Sequence, residues 1–187
     1  MRTGISRAIR VSLAAVLAVA AGGLTRTGYA GSTPKDTELI NEANRTIELY
    51  RSKDPGIDSF FRRSVGYVVF PGAGKGGLGI GGAHGTGVLF ERGVPVGKVT
   101  MNQVTIGAQA GGQEFSEIIF FQVPEPLNDL KAGKFSFSSQ VSAVALNAGA
   151  SAKAKFQNGV AVFSATKGGL MLEASIGGQK FSFTPFA

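Results

Sequence analysis

The chain has 187 residues, a formal net charge of +7, 28 glycines, one histidine and no cysteine. Without cysteine it forms no disulfide and has neither a thiol nucleophile nor a thiol for a lipid anchor, and the lone His84 leaves too few parts for a catalytic triad or a histidine-rich metal site. We therefore expect no catalytic residue, no metal and no cofactor; a hydrolase acting through a carboxylate pair is the enzymatic alternative.

The first 30 residues have the features of an export signal. Three arginines form a basic start, an apolar run follows over 11–24, and residues 28–30 place small side chains where a signal peptidase reads. The apolar run is too short to span a bilayer comfortably. We expect cleavage after Ala30, which leaves one domain over 31–187 in the periplasm or outside the cell; an uncleaved anchor is the alternative.

Removal of this segment lowers the net charge. Four of the 19 basic residues and none of the 12 acidic residues lie in 1–30, so the mature domain carries a net charge of +3. This surplus permits attraction to anionic lipid, but it is too small to indicate a nucleic-acid partner.

Two helices are predicted after the signal. Thr33 is the expected N-cap of the first, with Pro34 in its first turn, and the helix ends near Lys53. A short second helix over 59–64, capped by Asp58, turns two phenylalanines inward and leaves Arg62 and Arg63 outside. That arginine pair is either a solvated helix face or part of a ligand-facing patch.

The segment 64–90 combines two apolar runs with a very glycine-rich centre. Its Gly74-Lys75 is followed by Gly76 where a phosphate loop needs a hydroxyl residue, and its later glycines would break the helix of a dinucleotide site. The pattern favours a β-hairpin bent at its glycines.

The rest of the chain is predicted to be mainly strand and turn. Asn158-Gly159 is the strongest hairpin signal, and 124–132 reads as a short helix. The expected fold class is α+β, with N-terminal helices packed on a strongly curved, mostly antiparallel β-sheet or barrel. Its later strands are expected at 94–101, 103–110, 115–123, 134–145, 160–163, 170–176 and 181–183, with one further strand that ends at 156.

Several segments resemble one family, from about Thr37 to the C-terminus. The segments that are similar to the SYLF domain are RSVGYVVFP at 63–71, GLGIGG at 77–82, GTGVL at 85–89, IGAQ at 106–109 and KGGL at 167–170. The resemblance implies a non-enzymatic lipid-binding domain. In bacteria this domain is exported, which makes actin, a partner of some eukaryotic members, an unlikely one here.

Five residues are the candidate lipid-binding set. Cationic side chains beside exposed backbone amides suit an anionic phospholipid head group, and His84 stands where a basic residue is expected. Lys75 is either central to this site or a solubilising charge. A small outer-membrane β-barrel, or an envelope structural protein, is the non-enzymatic alternative. The candidates are Lys75, Arg62, Arg63, Lys98 and His84.

Overall fold

The computed structural model describes residues 33–78, 80–106, 113–166 and 178–187. In these ranges it contains four α-helices and seven strands. The helices are α1 (Pro34–Lys53), α2 (Asp58–Arg63), α3 (Pro124–Lys131) and α4 (Ala150–Lys153). The strands are β1 (Gly66–Leu78), β2 (Ile80–Glu91), β3 (Val94–Ile106), β4 (Gln113–Phe121), β5 (Ala143–Ala145), β6 (Val160–Thr166) and β7 (Gln179–Pro185).

One mixed sheet in the order β5-β6-β4-β1-β2-β3-β7 organises the described chain. All its neighbouring strands are antiparallel except β5 and β6. The predicted α+β class is confirmed. The barrel alternative is wrong, because β5 and β7 are the two edges of an open sheet within the described residues.

Helix α1 begins as its sequence predicts. Thr33 and Asp36 form a reciprocal capping box, in which each side chain accepts a hydrogen bond from the other's backbone N–H. The apolar face of the helix packs on the sheet, where the Tyr50 hydroxyl donates to the carbonyl oxygen of Ser116 at 2.8 Å. Burial raises the pKa of Tyr50, so this phenol stays neutral.

Among the described helices, none has both the length and the apolar composition that a membrane-spanning helix requires.

The predicted hairpin is confirmed as β1 and β2. The two strands pair from Gly66 opposite Glu91 onward, and β1 shifts register between Val69 and Ala73. Opposite this bulge, a Cβ on Gly87 would lie 2.5 Å from the carbonyl oxygen of Val69 and 2.7 Å from the ring of Phe70. Only glycine allows so close an approach, which bends the hairpin at this point.

The sheet has two buried faces. We call the face that carries α1, α2 and α4 the outer face and the opposite one, which α3 helps to cover, the inner face. On the inner face the rings of Phe70 in β1 and Phe181 in β7 have centroids only 6.2 Å apart. A flat sheet would separate these strands by about 14 Å, three strand spacings, so the sheet bends toward its inner face between β1 and β7.

Strand β4 lies at the centre of the core. All of its residues from Phe115 to Phe121 are buried, as the continuous apolar run predicts. It pairs with β1 on one side and β6 on the other.

Three details of the strand assignment are wrong. Strand β3 runs without a break to Ile106, because Asn102 keeps the pairing on both sides, opposite His84 in β2 and Lys180 in β7. Residues 134–142 are irregular, since the backbone N–H groups of Lys134 and Phe135 bond to the carbonyl oxygen of Asp129 at the end of α3 instead of to a strand. The strand predicted to end at 156 is absent from the described residues, because α4 ends at Lys153 and the chain before the 158–159 turn forms only one isolated bridge, between Gln157 and Val160.

Asp58 does not cap α2. A 3-10 turn at Pro55–Ile57 leads straight into α2, so Asp58 is already helical and instead accepts a hydrogen bond from Arg51 Nε at 2.8 Å. Asp54 caps that turn and also accepts the N–H of Ser151 at 2.6 Å, which ties α4 to it. The predicted signal at 1–30 and the predicted strand at 170–176 lie outside the described residues.

Candidate functional site

A groove of about 410 Å³ opens where α1, α2 and the β2–β3 turn meet. We call it the arginine groove, because three arginines contributed by three separate elements line it. Its volume lies in the range of small-ligand sites. The lining residues are Arg51, Asp58, Phe61, Arg62, Ser64, Tyr67, Arg92 and Gly93.

A two-residue turn presents Arg92 to this groove. Glu91 pairs with Val94, and the backbone between them is left-handed, with φ of 51° at Arg92 and 80° at Gly93. Such turns favour asparagine or glycine, because a Cβ in this conformation costs roughly 1 to 2 kcal/mol. Arginine is therefore a poor choice for folding here, and a residue kept in a strained turn is a candidate for a functional role.

The groove carries unbalanced positive charge. The guanidinium of Arg51 contacts Asp58 at 2.8 Å and Glu48 at 2.9 Å, so acidic side chains satisfy it. Arg62 and Arg92 are exposed, and neither forms an ion pair with any residue in the described ranges. These two guanidiniums are available to an anionic group, which arginine can bind through two parallel hydrogen bonds.

Aromatic packing holds the wall of the groove in place. Tyr67 stacks on Phe90 with ring centroids 5.2 Å apart and meets Phe61 edge-on at 4.8 Å. The guanidinium of Arg51 lies 4.8 Å from the centre of the Phe61 ring. The groove is therefore formed before any ligand arrives, which lowers the entropic cost of binding.

Arg63 does not line this groove. Its guanidinium lies over the rings of Phe60 and Phe156, at 4.9 and 5.1 Å, on another side of α2. Its Nε also donates to the carbonyl oxygen of Ser59 at 3.1 Å. Arg63 thus packs α2 against the 154–156 segment, while its neighbour Arg62 faces the groove.

Lys98 is engaged at the start of α1. Its Nζ lies 2.8 Å from Asp36, whose side chain is 7% exposed. The hydrogen bond from Lys98, followed by that from Thr33, lowers the pKa of Asp36 to about 2. Lys98 therefore has a structural partner and lies outside the arginine groove.

Lys98→Met should lower the free energy of unfolding by about 1 kcal/mol near neutral pH, because Asp36 would stay buried without its cation. Because its pKa is lowered, the ionised Asp36 stabilises the fold at pH values above its ordinary pKa of 3.8. This contribution is lost as the pH falls toward about 2. Urea unfolding at a series of pH values should show the two proteins converging at low pH. A constant difference down to the lowest pH would contradict this role.

His84 and Lys75 belong to the far end of the hairpin. His84 Nδ1 lies 2.8 Å from Asn102 Oδ1 on the neighbouring strand, and eight strand residues, or roughly 26 Å, separate it from Arg92. The backbone of Lys75 pairs with Ala83 and Gln113, but its side chain lies outside the described part of the chain. Of the five predicted residues, the structure places only Arg62 in the arginine groove.

Comparison with known proteins gives a distant relative. No family model matches the chain. The chain is 28% identical over 153 residues to a protein of Aeromonas veronii named Beta cell expansion factor A. The similarity covers 80% of this chain and 54% of that protein, so the chain spans about half the length of the relative it matches.

Sequence reasoning missed two features of the surface. Arg92 was not among the predicted site residues, although an arginine beside a glycine in a tight hairpin turn is itself a signal. A second cleft of about 730 Å³ runs along α1, lined on the helix by Glu42, Arg45, Thr46, Leu49 and Lys53. These helix residues recur at intervals of one, three and four, so they share one face of α1. Two acidic and two basic residues line this cleft, whereas three arginines and one aspartate line the arginine groove.

Proposed function

We propose that this chain is an exported, non-enzymatic domain that binds anionic phospholipid head groups on a membrane surface. The observation that carries the proposal is the pair Arg62 and Arg92, which come from separate elements and line one preformed groove. Both are exposed and without an acidic partner among the described residues. A phosphate group between them would gain charge-assisted hydrogen bonds from each guanidinium.

Exposed apolar side chains at the same end of the sheet support a membrane surface as the source of the phosphate. Val94 directly follows the Arg92 turn and is 55% exposed. Val123 is 41% exposed and follows β4, whose terminal Phe121 pairs with Gly66 at the start of β1. Valines next to arginines suit an interface where head groups bind the cations and the acyl boundary receives the apolar atoms.

The sequence gives independent support. The segments that resemble the SYLF domain include the strand that supplies Tyr67 to the groove wall, and that family implies lipid binding. The expected net charge of +3 after export also favours an anionic surface over a neutral one.

Co-sedimentation of the purified domain with lipid vesicles tests the proposal. We expect binding to vesicles that contain phosphatidylglycerol, little binding to pure phosphatidylcholine, and weaker binding as salt rises. Soluble glycerol 3-phosphate serves as a competitor. If it displaces the protein from the vesicles only at very high concentration, the membrane is the target. If it competes efficiently, the target is a free phosphate ester. Equal sedimentation with anionic and neutral vesicles at low salt would contradict the proposal.

A further inference from the structure

Four polar side chains interrupt the apolar inner face of the sheet. Glu117 in β4 is fully buried, Ser164 in β6 is 2% exposed, Gln179 in β7 is 4% exposed, and Gln103, which pairs with Gln179 from β3, is 3% exposed. Glu117 lies directly opposite Ser164 on one neighbouring strand and opposite Phe70 on the other. The burial of a carboxyl group among such neighbours is costly unless something compensates it.

Curvature brings Gln179 to Glu117. Strands β4 and β7 are four positions apart in the sheet, which would separate them by about 19 Å if the sheet were flat. In the curved sheet the Gln179 side chain reaches the Glu117 carboxyl closely enough to affect its pKa. The two residues therefore form a contact between the middle of the sheet and its last strand.

Oxygen atoms at this contact can accept hydrogen bonds, but no described donor bonds to them with good geometry. Neither carboxylate oxygen of Glu117 nor the amide oxygen of Gln179 has a hydrogen bond of good geometry with any described group. Burial raises the pKa of Glu117 to about 7, and the nearby Gln179 amide lowers it only in part. One proton on Glu117 would supply the missing donor, because a protonated carboxyl donates an O–H and an amide oxygen accepts it.

Among the described residues, no charged side chain faces the Glu117 carboxyl. The groups that face Glu117 are Phe70 from β1, Ser164 from β6 and Gln179 from β7, and the 134–142 segment adds phenylalanines to this face. Tyr50, on the outer face, interacts electrostatically with Glu117, but burial keeps this phenol neutral and its hydroxyl donates to a backbone carbonyl.

We propose that Glu117 takes up one proton from solvent and donates it as an O–H···O hydrogen bond to Gln179, forming a proton-dependent latch that fastens β7 to β4. The step breaks no other bond, and the proton returns to solvent when the latch opens. The backbone of strand β7 pairs with β3 alone among the described strands, so the latch adds a polar attachment to the aromatic packing of Phe181 on the inner face. Loss of the proton leaves a buried carboxylate without a donor, and we expect β7 to loosen and expose the inner face.

Unfolding equilibria of wild type, Glu117→Gln and Glu114→Gln test the latch. Because its pKa is raised, the protonated Glu117 stabilises the fold fully at pH values below the ordinary pKa of glutamate. This contribution becomes smaller as the pH rises toward about 7. From about pH 5 to about pH 8, the wild type should lose roughly 100-fold in folding equilibrium constant relative to Glu117→Gln. Glu114→Gln, the same chemical change at an exposed position of the same strand, should follow the wild type. Parallel profiles of wild type and Glu117→Gln would overturn the proposal.

A measurement on the unmodified protein keeps the test valid if Glu117→Gln fails to fold. Carbon-13 NMR of the glutamate carboxyls should show one that titrates near neutral pH. Hydrogen exchange of the β7 amides, corrected for intrinsic rates, should speed up over the same range, while that of the central β4 amides does not. A Glu117 carboxyl that titrates at its ordinary pKa, or uniform exchange across the sheet, would overturn the latch.

Discussion

Gly87→Ala is expected to lower the free energy of unfolding by roughly 3 kcal/mol, a large part of the stability of a domain of this size. The added methyl would lie 2.5 Å from the carbonyl oxygen of Val69 and 2.7 Å from the buried ring of Phe70. Neither neighbour can move freely, because Val69 is held by the β1–β2 ladder and Phe70 by the inner core. The strain would therefore open the bend of the hairpin.

Gly74→Ala is the matched control for this change. Gly74 lies in the same hairpin beyond the bulge, and a Cβ there would meet nothing within 4 Å. We expect a change within about 0.5 kcal/mol. Urea unfolding followed by circular dichroism measures both variants. Similar midpoints for Gly87→Ala and Gly74→Ala would show that close backbone approach at Gly87 does not hold the bend.

Local patterns in the sequence predict much of this fold. The N-cap at Thr33, the buried run of β4 and the turn at Gly159 each depend on residues close together in the chain. The glycine-rich hairpin was also predicted, because few other structures tolerate such a backbone between two apolar strands.

Long-range contacts account for what the sequence did not predict. Phe135 alternates with serines as if in a strand, yet it packs between Phe121 and Phe181 on the inner face while its backbone caps α3. The meeting of Glu117 with Gln179 depends on which residues the curvature of the sheet brings together, and no local pattern specifies that pair.

The candidate site shows the same division. Exposure of Arg62 was predictable from the short amphipathic helix that carries it. Its proximity to Arg92 depends on how α2 docks beside the β2–β3 turn, some 30 residues further along the chain. Lys98 was grouped with the site because of its charge, but its ion pair with Asp36 assigns it to the start of α1.

Arg62→Glu combined with Arg92→Glu should weaken binding to anionic vesicles by at least roughly 100-fold. Each basic residue near a charged bilayer contributes about 1 kcal/mol, and reversal replaces two attractions by two repulsions. The fold should survive, because both side chains are exposed and neither has an ion-pair partner in the described chain.

Lys35→Glu with Lys180→Glu provides the control for net charge. Both lysines are exposed, and both lie outside the arginine groove. This pair changes the overall charge by the same amount, so it separates a general attraction from a specific site. Circular dichroism should show both double variants folded before they are compared.

Vesicle co-sedimentation of these two double variants beside the wild type, with phosphatidylglycerol present and at low salt, tests the arginine groove most directly. We predict that Arg62→Glu/Arg92→Glu stays in the supernatant while Lys35→Glu/Lys180→Glu sediments with the vesicles nearly as well as the wild type. Equal losses of vesicle binding in the two variants would show that net charge alone accounts for the attraction. Unchanged sedimentation of Arg62→Glu/Arg92→Glu would show that the lipid binds elsewhere.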